Sequence, residues 1–161
     1  MNDTDLPRKP PSGSTANPTG VHAVPSNEAE IRCAIERYAA AWSSGDRAAI
    51  AACYHEHFTL HYFGRSVLSG DHAGRTASLQ TLAEFSRRTQ RRLVSIVGIL
   101  AGPERGAIVA REVVGEGERA VEVERVLVYA VEDGLLRECW VYDQDQRLID
   151  SIVDAVPLTA P

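Results

Sequence analysis

Residues 135–150 read Leu-Leu-Arg-Glu-Cys-Trp-Val-Tyr-Asp-Gln-Asp-Gln-Arg-Leu-Ile-Asp, an apolar and aromatic run that ends among three acids, Asp143, Asp145 and Asp150. If Leu135–Tyr142 is a strand, its period of two puts Cys139, Val141 and Asp143 on one face. A carboxylate that continues an apolar face is costly to bury unless something pairs with it or uses it. Asp143 is therefore the first candidate site residue, set against the plainer reading that it opens an exposed turn.

Upstream, three more strands are expected at Leu93–Leu100, Ala107–Val114 and Arg119–Val131, joined by glycine-containing turns. On the longest, Val121, Val123, Leu127, Tyr129 and Val131 share one face, and Arg125 is the only charge on it. An arginine there calls for a carboxylate, from Asp143 across the neighbouring antiparallel strand or from Glu112 on the preceding one. The alternative is an arginine that snorkels at the sheet margin. Glu122 and Glu124 fall on the opposite face.

Before these strands the spacing turns helical. Asn27 with Glu30 three residues on has the form of a capping box. Ile31, Ala34, Ile35, Tyr38, Ala41 and Trp42 then recur at helical intervals. Ser43-Ser44-Gly45 ends this helix, and Asp46 can cap a short second one that reaches about Tyr54. Phe58–Phe63 reads as a strand, with His61 on the face of Thr59 and Phe63. Leu68–Arg75 reads as a glycine-punctuated loop. A third helix is expected from Thr76 to Arg88, followed by a basic patch of Arg87, Arg88, Arg91 and Arg92, either a solvated face or a dock for an acidic partner. Helix, helix, strand, helix and four antiparallel strands, with no βαβ repeat, point to an α+β fold whose helices pack on the concave side of a curved sheet.

The 161 residues suggest one domain. The proline-rich stretch 1–25 reads as a disordered tail, 26–156 as the domain and 157–161 as a short tail. A net charge of −5 argues against nucleic acid as the main partner. Cys33, Cys53 and Cys139 are an odd number without a paired motif, as expected of a reducing compartment. No apolar run is long enough to span a bilayer and no secretion signal is recognised, so a cytoplasmic, non-membrane protein is expected. His55, His57 and His61 invite a metal reading, but a strand at Phe58–Phe63 removes the helical spacing it needs, and no metal site is expected.

The segments Glu-Arg-Tyr38-Ala-Ala-Ala-Trp-Ser-Ser-Gly-Asp46, Phe-Gly64, Leu-Ser-Gly70 to Gly-Arg75, and Asp-Gly134 to Trp140 and Asp143, in that order, resemble the NTF2-like superfamily. Within it they are most similar to SnoaL-like polyketide cyclases and ketosteroid-isomerase-like proteins. The resemblance implies a cone-shaped α+β barrel (NTF2-like or cystatin-like), three N-terminal helices on a mainly antiparallel sheet, and a homodimer formed through the outer sheet face. It places Tyr38 where those isomerases keep an oxyanion-hole tyrosine, His61 where they place an aspartate base, and Arg125 near their second, protonated aspartate. Asp143 resembles the acid/base aspartate of the cyclases. Trp42, Phe63, Tyr129 and Trp140 are the aromatic side chains expected to contact a substrate.

The expected function is cofactor-free acid/base catalysis on a hydrophobic carbonyl compound, by cyclisation, isomerisation or dehydration. The arginine- and alanine-rich composition fits a GC-rich bacterial source, which would suit natural-product biosynthesis. The alternatives are epoxide opening on the same fold and a non-catalytic small-molecule binder.

Overall fold

In the computed structural model, which describes residues 27–156, the chain begins with α1 (Asn27–Ser44) and α2 (Arg47–Ala52). Strands β1 (Tyr54–Tyr62) and β2 (Gly70–Ala73) follow, then α3 (Arg75–Thr89). The chain continues through β3 (Arg92–Ala101), β4 (Gly106–Val114), β5 (Val121–Glu132) and β6 (Leu135–Asp143), and the described part ends with α4 (Gln146–Asp154). The two tails expected at 1–25 and 157–161 lie outside the described residues.

The six strands form one curved, unclosed sheet in the order β2-β1-β6-β5-β4-β3. Every pairing is antiparallel except β1 with β6. Helix α1 packs across β3, β4 and β5, and α3 packs on β1 and β2. The core fills the concave side between sheet and helices. It takes Ile31, Ile35 and Tyr38 from α1, Phe58, Leu60 and Tyr62 from β1, Phe85 from α3, and the inward alternates of β4, β5 and β6. Burial alternates residue by residue along β4 and through the middle of β5, the period-two signature of strands with one face on a core.

Three local expectations are corrected. The strand expected at Phe58–Phe63 begins four residues earlier, at Tyr54. Tyr54 and Phe58 are four apart, a spacing that fits one face of a strand as well as a helix, and both are buried here. His55 and His57 therefore sit within a strand. Gly70–Ala73, read as loop, pairs with β1 as an edge strand, and its Gly-Asp-His-Ala composition carries little strand preference. Finally, Asp145 and Asp150 are not part of an acidic cluster around Asp143. Asp145 caps α4 by accepting from the Leu148 N–H at 3.0 Å, and Asp150 accepts from the Arg65 N–H at 2.8 Å. The helix they serve buries Ile149 and Val153 on the core.

Candidate active site

Strand parity decides which side chains meet. Arg125 of β5 lies directly opposite Asp143 of β6, and both point to the concave side. The Arg125 guanidinium is 2% exposed and grips Asp143 with two donors, Nε to Oδ1 at 2.5 Å and Nη2 to Oδ2 at 3.2 Å. Its Nη1 donates to Oε2 of Glu112 on β4 at 3.1 Å. The other Glu112 oxygen accepts from Arg91 Nη1 at 3.3 Å. Tyr62 hydroxyl stands 3.5 Å from both Asp143 Oδ2 and Arg125 Nη2, a long contact that completes the set. Phe85 lies flat over Arg125, its ring centroid 4.4 Å from the guanidinium carbon. Two arginines and two carboxylates thus neutralise one another inside the cone, where unpaired charge would be costly. Burial alone would lower the Arg125 pKa, but Asp143 and Glu112 outweigh it and raise it. Burial raises the Tyr62 pKa, so its phenol stays protonated at neutral pH.

Beside this network, helices α1, α2 and α3 border a half-open cavity of about 310 Å³. Ile50, Leu79 and Leu82 give it apolar walls, with Trp42 and the Tyr38–Tyr54 pair among its aromatic lining and Arg91 at one side. The Tyr54 hydroxyl donates to the Tyr38 hydroxyl at 2.9 Å, which leaves the Tyr38 proton available to another acceptor. Burial raises the pKa of both phenols. Arg91 joins the two regions, because it lines the cavity and also holds Glu112.

The structure brings some expected site residues together and separates others. Arg125 and Asp143 are in contact, while Tyr38 and Trp42 line the cavity. Tyr129 packs behind Tyr38, its ring centroid 5.6 Å away, and does not line the cavity. His61, Phe63 and Trp140 face the other side of the sheet, so the expected convergence of His61 with Tyr38, Arg125 and Asp143 does not occur. Along β1 the inward positions are Phe58, Leu60 and Tyr62, which turns His61 outward. There its Nδ1 meets Asp71 at 2.8 Å, its Nε2 meets Glu138 at 2.9 Å, and its ring stacks on Trp140 at 4.9 Å. Phe63 is 42% exposed and packs against Tyr142.

The basic patch also divides. Arg87 pairs with Glu84, Arg88 is buried against Glu84 and the carbonyls of Val153 and Val156, and Arg91 turns to Glu112. Among the described residues no group of histidine, cysteine, aspartate and glutamate side chains has metal-ligand geometry. Tyr54, Tyr62 and Arg91 were not singled out individually as site residues from the sequence. Tyr62 was within reach, because it shares its parity with Phe58 and Leu60.

A helix-capped, curved mixed sheet with a cavity at its concave side defines an NTF2-like, cystatin-like α+β protein. The chain belongs to the SnoaL-like domain family, whose family model matches residues 35–139. Bal32a, from a soil-derived mobile gene cassette, is 22% identical, with 78% of this chain and 98% of that one covered and a TM-score of 0.69. An NTF2-like protein from Burkholderia xenovorans is 21% identical, covers 77% and 95%, and has a TM-score of 0.62. A candidate ketosteroid isomerase from Kribbella flavida is 17% identical, covers 74% and 82%, and has a TM-score of 0.60. At these identities the likeness is one of fold. No curated relative matches the sequence. Among the described residues no helix is long and apolar enough to cross a membrane.

Proposed function

We propose that this protein is a cofactor-independent acid/base enzyme that cyclises, isomerises or dehydrates a small hydrophobic carbonyl compound. The observation that carries the reading is the Tyr54–Tyr38 hydroxyl pair in an apolar cavity, next to a buried set of carboxylates and arginines. A neutral Tyr38 phenol, already accepting from Tyr54, can donate to a substrate carbonyl oxygen and stabilise the enolate that forms as a C–H proton leaves. Of the two carboxylates, Glu112 is the one connected to the cavity. When Arg91 turns toward the substrate oxygen, Glu112 Oε1 is free to take that proton. Asp143, held on both oxygens, fixes Arg125 and keeps the second Glu112 oxygen in place. His61, on the far side of the sheet, takes no part.

Solvent exchange tests this. With a panel of hydrophobic ketones in D₂O, the wild-type protein is expected to exchange the α-hydrogens, and Glu112→Gln and Tyr38→Phe are expected to slow exchange by about 100-fold or more. Exchange that persists undiminished in both variants would remove the mechanism. Ligand binding without exchange would leave a non-catalytic binder.

One observation favours a second reading. Glu112 supplies the second carboxylate of a carboxylate–guanidinium–carboxylate arrangement around Arg125, which suits acid-assisted epoxide opening with water or an internal hydroxyl as nucleophile. Incorporation of ¹⁸O from labelled water into a diol product would select it. The outer sheet face, with Phe63 and Tyr142 exposed, is the surface proposed for a homodimer, and sedimentation equilibrium would test it.

A further inference from the structure

The cavity has two guanidinium groups in its lining, and only one of them has a carboxylate partner among the described residues. Arg47, at the start of α2, lines the cavity, is exposed, and has no carboxylate within 4.0 Å among the described residues. Arg91 donates Nε to Ser86 at 2.8 Å and Nη1 to Glu112 at 3.3 Å, and its Nη2 has no hydrogen-bond partner among the described residues. None of the lining side chains is acidic. Guanidinium groups lining a mostly apolar cavity favour an anion, and their planar donor forks match a carboxylate.

We infer that the physiological ligand is an apolar carboxylate, an aromatic or unsaturated acid whose carboxylate is read by Arg47 and the free edge of Arg91 while its hydrocarbon body lies against Trp42 and Leu82. The inference rests on the cavity being the substrate site, as proposed above, and adds the charge of the substrate. One free guanidinium and one half-engaged guanidinium fit a monoanion. A dianion would leave charge unmatched. The apolar walls also exclude a small hydrophilic anion, which would forfeit its hydration for no contact with them.

The test compares one skeleton with and without charge. Binding of 2-naphthoate and of neutral 2-naphthamide is measured by tryptophan fluorescence, since Trp42 lines the cavity, with inorganic phosphate as a further probe. The carboxylate is expected to bind about tenfold more tightly than the amide. Arg47→Gln should abolish most of that preference, and added salt should weaken the carboxylate more than the amide. Phosphate should not compete at equal concentration. Equal affinity for acid and amide would overturn the inference and leave the proposed cavity site intact. A preference that survives in Arg47→Gln, or competition by phosphate alone, would also overturn it. Failure of both aromatic compounds to bind would overturn the inference together with the cavity reading beneath it.

Discussion

Replacing Arg125 by methionine should expose what the buried network contributes. Methionine keeps much of the apolar contact with Phe85 and removes the charge. The Glu112 and Asp143 side chains are both 1% exposed. Glu112 would retain Arg91 at 3.3 Å, so Asp143 is the carboxylate left without a cation. Removing one partner of a buried ion pair costs about 3–5 kcal/mol, because the stranded charge remains out of water. A domain of this size has a total stability of roughly 5–15 kcal/mol, so the variant should lie near the edge of folding, with Tm lower by roughly 10–20 °C. Urea denaturation followed by far-UV circular dichroism measures this. The double variant Arg125→Met, Asp143→Leu, which leaves the Arg91–Glu112 pair in place, should recover most of that loss, since buried ion pairs replaced by apolar groups are often neutral or stabilising. A single-variant cost below about 1 kcal/mol would refute the claim that Arg125, Asp143 and Glu112 are buried as mutually dependent charges.

Four further outcomes are expected. Burial lowers the His61 pKa, yet Asp71 and Glu138 outweigh it and the net value is raised above 6.5. Its stabilising charge is therefore fully present below that pH and is lost as pH rises through the folded value, so His61→Gln should cost about 0.5–1 kcal/mol more at pH 5.5 than at pH 9, read from urea midpoints. Gly64 has φ +107°, and a Cβ there would strike the Asp150 and Gln146 side chains, so Gly64→Ala should destabilise by roughly 1–3 kcal/mol in thermal melts. Tyr38→Phe leaves the Tyr54 hydroxyl without its acceptor and should lower stability by about 1–2 kcal/mol, measurable by chemical denaturation, independently of its effect on exchange. With a thiol reagent under native conditions only Cys33 should react rapidly, because Cys53 is buried and burial pushes the Cys139 thiol up to about 12.

How much of this was legible in the sequence follows from the period of each element. Parity within a strand is fixed by covalent geometry, so Arg125 with Leu127 and Tyr129, and Asp143 with Cys139 and Val141, could be placed on common faces without coordinates. Their pairing then needed only the adjacency of β5 and β6 across the Asp-Gly134 turn, and Glu112 followed from the strand before. Where the reading went astray, the local signal was shared by two structures or belonged to distant residues. A four-residue spacing at Tyr54 and Phe58 satisfies helix and strand alike. The nine residues of α4 bury their apolar stripe only because α3 and the sheet offer a surface for it. His61 shows a different kind of error. Parity put it with Thr59 and Phe63, but which face turns inward is a separate question. The all-apolar alternates Phe58, Leu60 and Tyr62 answer it in favour of tyrosine. Family resemblance had drawn histidine into the pocket at the position of an acid. The inner face of β1 carries instead a neutral phenol, Tyr62, beside Asp143 and Arg125. In the proposed mechanism the proton acceptor is Glu112 on β4, which Arg91 links to the cavity. That dependence makes a double-mutant cycle between Arg91 and Glu112 decisive. If Arg91 gates Glu112, Glu112→Gln and the double variant with Arg91→Gln should slow exchange equally, because the gate has no effect once the base is gone. Additive losses would mean that the two residues act separately and that the proton leaves by another route.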